Sequence, residues 1–186
     1  AGHIDVIISR TGYTGSDGLE IYFDSKYSND IWNSIINIEN KNPILPIGLG
    51  ARDTLRLEMG YCLYGNELDE NISPINAGLE WIIKRDKKFI NSNNFLKEIN
   101  DGPKDKLIGF ELIKRAIPRS NYSILNQNEE SIGRVTSGIF SPSLEKGIGL
   151  GYVQATELKK TNKIKIDIRG KAEEALIVKL PFYKKN

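Results

Sequence analysis

The chain has 186 residues, 39% apolar and 27% charged, with a formal net charge of +2. That length and balance give one large domain or two small ones and exclude a disordered or fibrous chain. No run approaches the roughly 20 apolar residues that cross a bilayer, and the first residues lack the basic-then-apolar order of a secretory signal, so a soluble, cytoplasmic protein is expected.

One cysteine, Cys62, and one histidine, His3, leave no internal disulfide, no zinc cluster and no Cys–His nucleophile pair. Charge is uneven: residues 1–90 hold 9 Lys/Arg against 13 Asp/Glu, net −4, and residues 91–186 hold 17 against 11, net +6. Basic blocks can mark nucleic-acid surfaces. Here the lysines alternate with apolar residues, as in Lys163-Ile164-Lys165-Ile166-Asp167-Ile168-Arg169, which reads as the solvated face of a strand. A nucleic-acid-binding barrel would interleave aromatics with that basic run, and none is there.

In chain order, Ile4–Ser9 and Gly18–Phe23 read as two neighbouring strands joined by a glycine-rich turn, Arg10 to Gly18. The first looks buried. Ile31, Trp32, Ile35, Ile36 and Ile38 recur at helical spacing between Ser28 and Asn40, with Ser28 or Asn29 as the expected cap. Pro43 and Pro46 break the chain, a second helix is predicted over Leu49–Met59, and Gly60 ends it. Residues 73–100 give mixed signals, with an apolar stretch at Leu79–Ile83 and a short helix at Asn93–Ile99. After a boundary at Asp101-Gly102-Pro103, strand-like runs follow at Leu107–Ile113, Ser131–Ile139, Ile148–Val153, Lys163–Arg169 and Ala175–Leu180, the pattern of a sandwich or barrel. Two strands and two helices make a sheet too small to cover its own edges and faces, so residues 1–90 read as the latter part of a larger domain or as a surface covered by another chain.

Few residues carry chemistry. Gly48-Leu49-Gly50 is too short for a phosphate loop and lacks its lysine, and Cys62 reads as an inert thiol. Glu20 is more informative. In Leu19-Glu20-Ile21-Tyr22-Phe23, alternation places Leu19, Ile21 and Phe23 on one face and Glu20 with Tyr22 on the other. Facing a cleft, the carboxylate accepts two N–H bonds from a flat heterocycle while Tyr13 packs against its ring; facing water, it is simply solvated. Arg52 lies at the start of the second helix, where the dipole gives a cation no support. It pairs with Asp53, Glu58 or a surface carboxylate, or it reaches an anionic ligand.

The segments R-T-G-Y-T-G-S-D-G-L-E-I (Arg10–Ile21), G-L-G-A-R-D-T-L-R-L-E-M-G-Y-C-L-Y-G (Gly48–Gly65), S-P-I-N-A-G-L-E-W (Ser73–Trp81) and I-G-R-V-T-S-G-I-F-S-P-S-L-E-K-G-I-G-L-G-Y-V (Ile132–Val153) belong together. With I-R-G-K (Ile168–Lys171) and K-L-P-F-Y-K (Lys179–Lys184), they resemble the aminomethyltransferase, or T-protein, of the glycine cleavage system over nearly the whole chain. The resemblance implies an α+β fold: part of an α/β folate-binding lobe, incomplete over residues 1–90, then an antiparallel β-barrel or jelly-roll over residues 104–186. It implies transfer of an aminomethyl group from the lipoyl arm of the H-protein to tetrahydrofolate, giving 5,10-methylenetetrahydrofolate and ammonia. Carried across, Glu20 reads the pterin edge, Tyr13 and Tyr61 pack against the ring, Arg52 is a charged contact near the folate, and Lys185 corresponds to a basic tail residue.

There are departures. Ser16 stands where the family often has an acid, and Pro118–Tyr122 lacks the histidine and glycine common after the arginine. The family's chain is about twice this length on the size of its lobes, and its aspartate beside the reacting folate nitrogen falls in the part without a counterpart here. No residue of this chain is assigned that role, and the chain alone is expected to turn over poorly. A folate-binding accessory protein of the same superfamily, used in iron–sulfur maintenance, would carry a K-G-C-x-x-G-Q-E segment where this chain has G-Y-C-L-Y-G-N-E (Gly60–Glu67). A chain end soon after Tyr183 favours a stand-alone transferase over the folate domain fused to sarcosine or dimethylglycine oxidoreductases. A structural fragment without function of its own is the remaining alternative.

Overall fold

The computed structural model describes residues 3–38 and 41–184. The chain forms two compact units, residues 1–56 and 57–186.

In the first unit, β1 (Ile7–Ser9) pairs antiparallel with β2 (Glu20–Tyr22) in the register Ile7 to Tyr22, Ile8 to Ile21 and Ser9 to Glu20. The glycine-rich segment between them closes the hairpin, with Gly15 at φ 69°, a conformation that costs glycine little. β1 is not buried as its sequence implies: Ile7 is 71% and Ile8 58% exposed, because a two-stranded sheet has no further strand or second layer over that edge.

A 3₁₀ turn (Ser25–Tyr27) leads into α1 (Ser28–Ile36), whose apolar residues recur at the predicted spacing. The cap differs from expectation. Neither Ser28 nor Asn29 caps α1; the cap position is Tyr27, without a side-chain bond, and Asp24 instead accepts from the Lys26 amide at 3.0 Å. The Ser28 hydroxyl is spent on the Ser25 carbonyl at 2.6 Å, so the short turn takes the capping groups first. α2 (Leu49–Glu58) follows, and the division between the units falls in its last turn.

In the second unit, Gly60 adopts φ 70° just beyond α2, and a Cβ there would lie 2.9 Å from the Leu180 side chain, so only glycine fits both the backbone and the packing. The apolar stretch at Leu79–Ile83 forms a 3₁₀ turn (Glu80–Ile82) that leaves Trp81 80% exposed. α3 (Ser92–Asp101) ends at Gly102, φ 82°.

Six strands then close into a barrel: β3 (Asp105–Leu112), β4 (Ser123–Leu125), β5 (Ser131–Ser141), β6 (Lys146–Gln154), β7 (Lys163–Ile168) and β8 (Lys171–Val178). Every neighbouring pair is antiparallel, in the order β3-β6-β5-β4-β7-β8 and back to β3. Closure removes the exposed edges that a sandwich or jelly-roll would retain.

β6 explains how so small a barrel is filled. Its glycines Gly147, Gly149 and Gly151 alternate with Ile148, Leu150 and Tyr152, and a Cβ on Gly149 would stand 2.5 Å from the Phe110 ring. The bare glycine face admits Phe110 and Ile124 to the interior with Leu112, Val135, Val153, Ile164, Ile166 and Ala175. On the outer face Ile148 and Leu150 pack with Leu57 and Phe182, so β6 is buried on both sides. β7 shows the predicted alternation, with Ile164 and Ile166 buried.

Candidate functional site

The arrangement around Glu20 follows from the hairpin register. Ser9 lies opposite Glu20, and Ile7 opposite Tyr22, so these four side chains share one face of the sheet. Ile21 and Phe23 turn to the other face, where they line an apolar groove of about 480 Å³ with Ile31, Trp32 and Ile35 of α1. The alternation read from the sequence holds on both faces.

Thr11, just beyond β1, brings its hydroxyl back to the same place. Its Oγ1 is hydrogen-bonded to Glu20 Oε2 and lies 2.9 Å from Ser9 Oγ. A hydroxyl has one proton and an ionised carboxylate only accepts. Thr11 therefore donates to Glu20, and Ser9 donates to Thr11. Glu20 Oε1 has no partner among the described residues.

Glu20 is exposed within this structure. A second groove, of about 400 Å³, lies along Asp5, Val6, Ile7, Tyr22 and Phe23, beginning at the residue pair next to Ser9 and Glu20, but neither groove includes Glu20 itself.

Arg52 and Tyr13 come together: the guanidinium carbon lies 4.6 Å over the centre of the tyrosine ring. The acids near Arg52 in sequence are engaged elsewhere. Asp53 takes Arg56 Nε at 2.7 Å, and the buried Glu58 accepts from Ser141 Oγ at 2.5 Å and Ser143 Oγ at 3.0 Å. Of the alternatives left open for Arg52, pairing with Asp53 or Glu58 is replaced by a cation–π contact that leaves the guanidinium edge able to meet an anion. Tyr61 belongs to the second unit, just after Gly60, and is 37% exposed. Lys185 lies outside the described residues.

Sequence reasoning missed the polar groups that hold these elements. Thr11 is nine residues from Glu20, and Ser141 is 83 residues from Glu58, distances at which no local pattern signals a bond. A third is Tyr152, whose hydroxyl donates to the Glu67 carbonyl at 2.8 Å. Burial, with Cys62, Glu67 and Asp69 facing it and Arg134 opposing them, pushes the phenol well above the ordinary tyrosine range, so it stays a donor. Among the described residues no cluster of three or more His, Cys, Asp or Glu is arranged to hold a metal, and no helix is long and apolar enough to cross a membrane.

A hairpin-and-helix unit followed by a closed six-stranded barrel defines a two-part α+β protein, and both parts have matching families. Residues 1–87 match the GCVT N-terminal domain and residues 106–184 the glycine cleavage T-protein C-terminal barrel domain. The chain belongs to the glycine cleavage T-protein family. It is 50% identical over 186 residues to an aminomethyltransferase of Bacteroides thetaiotaomicron, covering 99% of this chain and 52% of the relative. It is 51% identical over 185 residues to that of Flavobacterium psychrophilum, covering 100% and 51%. The solved aminomethyltransferase T of the glycine cleavage system from Bartonella henselae superposes with a TM-score of 0.88 at 32% identity, over 96% of this chain and 50% of that one. The chain thus spans about half the length of the curated relatives it matches.

Proposed function

We propose that this chain supplies part of the tetrahydrofolate site, and the barrel, of an aminomethyltransferase that takes its substrate carbon from the lipoyl arm of an H-protein. The family match and the names of its relatives support the reaction class. In the reaction, two bonds form from the aminomethyl carbon to folate nitrogens, while its bonds to the lipoyl sulfur and to the amine nitrogen break. The two folate N–H protons leave with the thiol and with ammonia, and the product is 5,10-methylenetetrahydrofolate. Positioning and charge management account for most of what a protein contributes to such a transfer.

The observation that carries the assignment of the site is the Glu20 carboxylate, tied at Oε2 and open at Oε1, on a sheet face beside Tyr22. An acceptor so held suits the adjacent N–H donors of a pterin edge. Arg52, steadied over Tyr13, supplies positive charge for an anionic part of folate. Residues 1–90 are then the latter part of a folate-binding domain. The exposure of Ile7, Leu19, Tyr22 and Trp32 supports this, since a self-sufficient unit would bury more of them.

The chain alone, without a carboxylate at the reacting nitrogen, lacks help worth a factor of about 10²–10⁴. The test is complementation. The chain by itself is expected to give little or no aminomethyl transfer, and addition of the separately expressed N-terminal half of the Flavobacterium relative is expected to raise it. Full activity without that addition would refute the division of labour.

A further inference from the structure

We infer that Thr11 is a positioning residue for Glu20, with Ser9 behind it; the inference rests on the proposed folate site and adds to it the means by which the carboxylate is aimed. Glu20 is an exposed glutamate on a three-residue strand. Such a side chain turns among several rotamers, and fixing one on binding a ligand carries an entropic cost.

Three features of the hairpin reduce that cost in advance. The Ser9–Glu20 register sets the two side chains on one face. The loop returns Thr11 to that face, where its hydroxyl is bonded to Oε2 and lies 2.9 Å from Ser9 Oγ. Each hydroxyl has one proton, so the order Ser9 to Thr11 to Glu20 is the one that ends on an acceptor-only group. With Oε2 tied, the carboxylate plane is set and Oε1 faces outward with both lone pairs open. Thr11 touches no ligand in this scheme; it acts through Glu20.

Two measurements on the 186-residue chain test this. In the first, the side-chain carboxyl carbon of Glu20 is followed by ¹³C NMR without ligand. Thr11→Val, which keeps the shape and removes the hydroxyl, is expected to move the resonance, and Thr11→Ser to restore it. An unmoved resonance in Thr11→Val means that the hydroxyl is not on the carboxylate and overturns the inference.

In the second, tetrahydrofolate is titrated by calorimetry. Thr11→Val is expected to weaken binding about fivefold to tenfold, within the range for loss of an ordinary hydrogen bond at an exposed position, and Thr11→Ser less than about twofold. In a Glu20→Gln background the Thr11→Val change is expected to be largely silent, because coupled residues are not additive. An equal Thr11→Val effect in both backgrounds, or loss of affinity by Glu20→Gln alone, overturns the role of Thr11 and leaves Glu20 in the site. Equal binding by wild type and Glu20→Gln, or no binding by wild type, refutes the folate reading instead, and the NMR result then stands by itself on whether Thr11 holds the carboxylate.

Discussion

Arg52 sits with its guanidinium carbon 4.6 Å above the ring of Tyr13, although 38 residues lie between the two in sequence. The contact gives the two residues different roles. Tyr13 presents at least one ring face to Arg52, and Arg52, at a helix start where the dipole opposes it, has its charge stabilised by the ring quadrupole. An exposed cation–π contact contributes about 0.5–1 kcal/mol. Tyr13→Leu is therefore expected to weaken tetrahydrofolate binding about twofold to fivefold and Tyr13→Phe hardly at all, since phenylalanine keeps the ring. Arg52→Ala should cost more, about tenfold or above, because it removes the charge itself. Calorimetric titration checks all three; an Arg52→Ala variant that binds like wild type would take Arg52 out of the site.

Glu58 ties the end of α2 to the hairpin between β5 and β6. Glu58 is 3% exposed and its carboxylate accepts from the buried Ser141 and the exposed Ser143, while Ser141 Oγ also accepts the Leu144 amide at 3.1 Å. Hydrogen bonds to a charged group contribute about 1.5–3 kcal/mol each when buried. Ser141→Ala is expected to lower unfolding free energy by about that amount, and Ser143→Ala by less, because water replaces its bond. Urea denaturation with an unchanged m-value measures both. Equal, small losses would mean that Glu58 is satisfied by other groups.

Much of the barrel was legible because its strands obey a simple rule, apolar or glycine inward and polar outward. Lys163–Ile168 announces itself this way, with Ile164 and Ile166 buried. The sixth strand, Ser123–Leu125, did not: three residues carry too little periodicity, and it exists because β5 and β7 offer it hydrogen bonds on both sides. In the first unit the period of two in Leu19–Phe23 correctly separated Glu20 and Tyr22 from Ile21 and Phe23. Thr11 stayed hidden because a flexible glycine loop, not a regular element, returns it to the sheet, and Ser28 misled because a 3₁₀ turn claimed its hydroxyl before the helix began.

At Gly149 the barrel filling leaves no room for a side chain. A Cβ there would lie 2.5 Å from the Phe110 ring and 2.8 Å from the Ser137 carbonyl, one movable neighbour and one that is backbone. Overpacking of this kind costs about 1–3 kcal/mol. Gly149→Ala is expected to destabilise the chain by that amount. Adding Phe110→Leu should relieve only part, since the strand β5 carbonyl cannot retreat without breaking its ladder. A thermal or urea midpoint equal to wild type in Gly149→Ala would show the barrel to be looser than its packing implies.

The Tyr152 phenol makes stability pH-dependent on the alkaline side. Buried and donating to the Glu67 carbonyl, it keeps its proton to higher pH than the ordinary value of 10.0 at which it ionises in the unfolded chain. Above that value the unfolded state binds fewer protons than the folded one, so unfolding becomes easier as pH rises. The stabilisation from the neutral phenol is complete below pH 10.0 and declines above it. The expected slope from this one group approaches about 1.4 kcal/mol per pH unit. Other tyrosines and the lysines also titrate there, so the comparison that isolates the effect is Tyr152→Phe. That variant loses the bond to Glu67 and is expected to be less stable at pH 8, yet its unfolding free energy should fall less steeply from pH 10 to 11 than that of wild type. Parallel curves for the two proteins would mean that Tyr152 ionises in the folded state as readily as in the unfolded one.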